Sequence, residues 1–87
     1  MTSEPTNPGH LVHEFHFIID SVVGLPEGDK ERIEDLVRVG EWQIALENLC
    51  TQLHEYDVKV SPDLLSKISE LGRELKVAER YRNLLTS

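Results

Sequence analysis

Apolar residues recur at three- and four-residue intervals through four separate stretches, and a break that contains Gly or leads into Pro stands between each. That period places side chains on one face of an α-helix, whereas a half-buried strand would need strict alternation, which nowhere persists here. In the first stretch, His10 to Val23, steps of ~100° put Leu11, Val12, Phe15, Ile18, Ile19, Val22 and Val23 within an arc of about 140°. Its many β-branched residues weaken helix propensity, so tertiary packing must supply the difference. Gly24, Pro26 and Gly28 end it. Asp29 then reads as an N-cap for a short helix over Lys30 to Val39 that buries Ile33, Leu36 and Val37, with Gly40 as its left-handed stop.

The third stretch, Glu41 to Tyr56, is the most regular: Trp42, Ala45, Leu46, Leu49, Cys50, Leu53 and Tyr56 share one face. Ser61-Pro62-Asp63 supplies a hydroxyl cap, a proline at the first helical position and an acid in the first turn. The helix it opens buries Leu64, Leu65, Ile68, Leu71 and Leu75. Gly72 lies on that stripe and predicts a close approach by another helix, since glycine costs a mid-helix position roughly 1 kcal/mol against alanine. A last turn or two over Ala78 to Leu85 packs Ala78, Tyr81 and Leu85. The expected fold is an all-α bundle of four to five short helices over residues 10–87, preceded by a flexible arm, residues 1–9, containing Pro5, Pro8 and Gly9.

Eighty-seven residues restrict the chain to one domain with a modest core. No apolar run is long enough for a membrane span, and the N-terminus lacks the basic and apolar regions of a secretory signal. The single Cys50 forms no internal disulfide, and a reducing, cytoplasmic compartment is expected.

Catalytic signatures are missing: there is no Gly-rich phosphate loop, G-x-S-x-G or H-E-x-x-H. Cys50 has no basic neighbour within four positions and reads as a packing residue. His10, His13 and His16 recur every three residues, a spacing that drifts around a helix, so His10 and His16 do not easily reach one ion. No enzymatic activity, metal or organic cofactor is expected.

Charge is more informative. The net charge is −7, and residues 1–59 hold twelve acids against four bases, whereas residues 60–87 hold four acids against five bases. Direct binding to nucleic acid, whose phosphates demand positive counter-charge, is not expected, but attraction to a basic protein is. Two apolar residues fall off their stripes. Phe17 projects among His10, His13 and Asp20, and Ile44 projects among Glu47, Asn48, Thr51 and Glu55. Such residues either meet a second neighbouring helix or serve as anchors for a partner. Glu41, Glu47, Glu55 and Asp57, with Glu34 and Asp35 upstream, gather around the outer side of the third helix. The candidate partner-binding set is therefore Glu41, Ile44, Glu47, Thr51, Glu55 and Asp57, with Phe17 and His13 on the first helix.

The run from Gly40 to Val58, with the order G-E-W-x-x-A-L-x-x-L-C-x-x-L-x-E-Y-D, followed by Ser61 and by Ile68 to Gly72, resembles the MafI family of bacterial immunity proteins. The resemblance spans about residues 30–76 and leaves the first helix and the tail uncovered. It implies a small helical, acidic protein of the bacterial cytoplasm, belonging to a polymorphic toxin or contact-dependent growth inhibition system. Such a protein binds the C-terminal domain of its cognate secreted toxin one-to-one and neutralises it. It further implies that the toxin is a basic nuclease, such as an RNase acting on tRNA, whose active site is blocked. The alternative is a small acidic helical adaptor that recruits an endogenous protein.

Overall fold

The computed structural model describes residues 8–86, and over that span the chain is all-α. It forms α1 (Pro8–Ser21), α2 (Glu27–Arg38), α3 (Trp42–Glu55), α4 (Pro62–Leu75) and a short α5 (Glu79–Asn83). Helices α1 to α4 close a ring in chain order: α1 packs on α2 and α4, and α3 packs on α2 and α4. Helix α5 lies against both α3 and α4. Among the described residues no helix is long and apolar enough to cross a membrane.

Each helix contributes one stripe to a common core. From α1 come Leu11, Phe15, Ile18 and Ile19, with Val22 just beyond its end; α2 supplies Ile33 and Val37. The α3 stripe is Ala45, Leu46, Leu49, Cys50 and Leu53, and the α4 stripe is Leu64, Ile68, Leu71 and Leu75. Burying a side chain of this size is worth about 1.5–3 kcal/mol, so the stripes hold the ring together where helix propensity alone would not.

Helix boundaries depart from the sequence expectation at several points. Pro8 and Gly9, expected in the arm, open α1, with proline at a position that has no helical hydrogen bond to lose. The rest of the expected arm, residues 1–7, lies outside the described residues. At its other end α1 stops at Ser21, whose hydroxyl donates to the Phe17 carbonyl at 2.8 Å. Val23 consequently leaves the buried arc and is 87% exposed. Helix α2 begins at Glu27, three residues early, because the Pro26 carbonyl accepts from both Asp29 and Lys30 amides. Asp29 is thus inside the first turn and not the N-cap. Leu25, in the break, joins the core instead. Leu36 and Leu65, expected in the interior, are only half-buried.

The Ser61 cap forms as its sequence predicts: the hydroxyl accepts from the Leu64 amide at 3.1 Å. The C-termini of α2, α3 and α4 all end in one geometry. In each, a left-handed residue is followed by an amide that bonds back five positions: Glu41 to Leu36, Val58 to Leu53, and Val77 to Gly72. The left-handed residues are Gly40 (φ 85°), Asp57 (φ 53°) and Lys76 (φ 61°). Glycine adopts that conformation freely, but a lysine Cβ crowds the following carbonyl. Gly72 also differs from expectation. A Cβ there would lie 3.7 Å from Leu46 Cδ2, an ordinary contact distance, so the helices do not require its absence.

Lys76→Gly is expected to stabilise the fold by about 1 kcal/mol and Gly40→Ala to destabilise it by a similar amount. Gly72→Ala is expected to be neutral or stabilising by up to about 1 kcal/mol. Urea unfolding of the three variants checks all of these; a destabilised Gly72→Ala would mean that Leu46 cannot accommodate a methyl.

Candidate protein-docking surface

The first turn of α3 is held from two sides by its own side chains. Trp42 Nε1 donates to the Val37 carbonyl at 3.1 Å, and Gln43 Nε2 donates to the Leu75 carbonyl at 2.6 Å. These bonds satisfy carbonyls in the last turns of α2 and α4 and pin both helices to the start of α3. Trp42 is half-buried against the core and not part of its sealed interior, because the indole is spent on that junction. At the far end of α3, Gln52 Nε2 donates to Asp29 Oδ1 at 2.6 Å. Asp29 also holds the Tyr56 hydroxyl above its ordinary range, by a hydrogen bond first and by its charge second. Tyr56 is 47% exposed, and not on the buried stripe as its spacing suggests.

Between these ties an outward ridge of α3 remains open. Ile44, Thr51 and Glu55 are spaced seven and four residues apart, which keeps them in one line along the helix. Ile44 is 45% exposed, while Thr51 and Glu55 are exposed. Glu41 stands exposed just before the first turn, and Asp57 stands exposed just after the last. None of these three acids has an ion-pair partner among the described residues. Beside Ile44 an open cleft of about 370 Å³ runs between Glu41 and the C-terminal turn of α4, with Glu74 and Lys76 on its opposite wall. Val39, the residue that follows α2, is 69% exposed.

Glu47 behaves differently from the other acids. It is half-buried on the flank of α3 that faces α5. Its charge acts on Arg80, whose guanidinium is held up first by a hydrogen bond to the Tyr81 hydroxyl, then by Tyr81's charge, with Glu47 contributing least. On the same flank His54 Nδ1 lies 3.1 Å from the Leu84 carbonyl. The tail thus covers part of the acidic face that the helical wheel leaves open. Two further acids stand elsewhere: Glu34 lines a cleft against Val12 and His16 of α1, and Asp35 is paired with Arg38.

Phe17 and His13 lie on α1, whose neighbours are α2 and α4, so the fold does not bring them to the α3 ridge. Phe17 is 48% exposed beneath Lys67 of α4, whose Nζ is 5.1 Å from the ring centroid and 3.5 Å from Glu14 Oε1. His13 is exposed. The three histidines diverge: His10 Nε2 faces Glu74 Oε1 at 3.7 Å, and His16 faces the α2 cleft. Among the described residues no three His, Cys, Asp or Glu side chains gather as a metal site. Cys50 is buried, and burial, followed by the charge of Glu47, pushes its thiol up to about 12.

What these features define is a small helical domain with a partly apolar, acid-bordered ridge along one helix. No family profile, curated protein or solved structure matches the chain.

The Cys50 thiol is expected to resist a disulfide reagent at pH 8 in the native protein and to react rapidly in guanidinium chloride. Its proton is retained to about 12 in the folded state against an ordinary 9.0. Cys50 therefore leaves stability unchanged below pH 9 and lowers it as pH rises from 9 towards 12, where only the unfolded thiol ionises. Fast native reaction at pH 8 would show that the α3 stripe opens.

Proposed function

We propose that this protein is an immunity protein of the kind its sequence resembles, binding a cognate secreted toxin domain one-to-one along the α3 ridge. The observation that carries the reading is Ile44, an apolar side chain 45% exposed between unpaired acids, just after the Trp42 and Gln43 bonds that fix the first turn of α3. Interfaces place an apolar anchor inside a polar rim, and a pre-ordered ridge loses little conformational freedom on binding. From Glu41 to Asp57 the ridge extends roughly 24 Å, suited to an interface of about 800 Å² per partner.

The partner best suited to the ridge is basic, and a nuclease has to be basic where it holds phosphate. Glu41, Glu55 and Asp57 steer the approach of such a domain, and Ile44 anchors it over the nucleic-acid cleft. Glu47 contributes less, since it is half-buried on the flank of α3 towards α5. A partner that also engaged Phe17 and His13 would have to wrap past a neighbouring helix to reach α1.

The test uses the toxin domain encoded beside this protein's gene and follows both binding and protection of cells. Reversing Glu41, Glu55 and Asp57 to lysine together is expected to slow association at least ~10-fold at low salt and to flatten its salt dependence. Ile44→Ala is expected to raise the dissociation rate, and Glu47→Lys to have the smallest effect. Unchanged affinity in both the triple and Ile44 variants, with the fold intact, would overturn the ridge assignment. Absence of any complex with the toxin would overturn the immunity reading and favour the adaptor.

A further inference from the structure

Helix α5 is attached to the bundle more lightly than the other helices. None of its five residues is buried, whereas each of α1 to α4 sinks at least two side chains into the core. The segment that carries it, residues 77–86, meets the core through the half-buried side chains of Val77, Tyr81 and Leu85. Val77 and Tyr81 line one cleft of about 250 Å³ together with Leu46 and Cys50 of α3 and Ile68 of α4. Well-packed interiors leave few voids larger than a water molecule, so the segment lies over the α3–α4 face without filling the space against it.

Its hydrogen bonds do not fasten it either. The amides of Tyr81, Leu84, Leu85 and Thr86 all donate to carbonyls three residues back, within the segment itself. The Arg80 guanidinium donates to the hydroxyl of its neighbour Tyr81. These bonds survive if the segment moves as a unit. His54 Nδ1, 3.1 Å from the Leu84 carbonyl, ties it to α3 at an exposed position where water competes. The turn that joins the segment to α4 runs through Lys76, whose left-handed conformation (φ 61°) is costly for a residue with a Cβ. Movement about that turn relieves the cost. A segment with half-buried contacts and internal hydrogen bonds opens at a free energy below that of global unfolding.

We propose that residues 77–86 form a strap that swings off the α3–α4 face about Lys76 while α1 to α4 stay folded. In the closed form Leu46, Cys50 and Ile68 are each 1% exposed; opening bares them. Access to Cys50, the chain's one thiol, is then set by the strap and not by unfolding. The strap is independent of the α3 ridge and would stand if the toxin reading failed.

Cys50 supplies the probe. The full chain is treated with a disulfide reagent at pH 8 over about 0–2 M urea, and amide exchange is followed in parallel. Labelling is expected to be slow against the unfolded chain, yet at least ~10-fold faster than global unfolding permits and nearly independent of urea. The Cys50 and Leu53 amides of α3 are expected to stay protected while the thiol reacts. Two variants separate the strap from the bundle. Tyr81→Ala, which weakens the strap's contact, is expected to speed labelling at least ~5-fold. Ile33→Val, on a helix that packs on α1 and α3, is expected to lower the urea midpoint and leave labelling without urea unchanged. Labelling that follows the urea dependence of global unfolding would overturn the proposal, as would a thiol that reacts only as the Cys50 amide exchanges. So would an unchanged rate in Tyr81→Ala, or a rate in Ile33→Val that rises in step with the lost stability.

Discussion

The dry stripe of α3 is the constraint on which the rest of the structure depends. Ala45, Leu46, Leu49, Cys50 and Leu53 sit on the one helix that meets α2, α4 and α5 together, so one face of fourteen residues organises three neighbours. A short helix in water is unstable alone, and each helix of this ring is short. Its persistence requires that apolar stripes meet all at once. The polar ties at the two ends of α3 then settle orientation: Trp42 and Gln43 at the start, Gln52 at the finish. Hydrogen bonds of this kind contribute only about 1 kcal/mol each, but they specify which ends of the helices lie together.

That packing also decides what the remaining surface of α3 presents. With α2 on one flank and the α5 segment on the other, a single line of residues stays outside, and Ile44 is the apolar member of it. The same arrangement partitions charge. Acids with no ion-pair partner remain along α3, whereas Arg73 and Arg82 gather where α4 and α5 meet.

The helix ends combine favourable and costly choices. Gly40 adopts its left-handed conformation without penalty, while Asp57 and Lys76 hold theirs because the amides that follow them find carbonyls one turn back. Those hydrogen bonds let the chain reverse within a few residues at two non-glycine positions. They keep the connections short enough for the ring to close in chain order.

The amino-acid sequence by itself determined the all-α class, most members of the four stripes and the Ser61 cap, because a 3.6-residue period and a hydroxyl before proline act within one or two turns. It also marked Ile44 and Phe17 as residues off their stripes, a property read from angle alone. Only the tertiary structure decided where those angles lead. A helical wheel cannot tell that Asp29 reaches Gln52 instead of capping its own helix, or that Trp42 gives its N–H to Val37 rather than sealing itself in the core. Nor can it tell that Glu47 faces α5 while Glu55 faces water, since that depends on a segment more than twenty residues further along. Periodicity is local, and neighbours are not: which acids stay bare and which arginines share a cleft is settled by which helix packs on which.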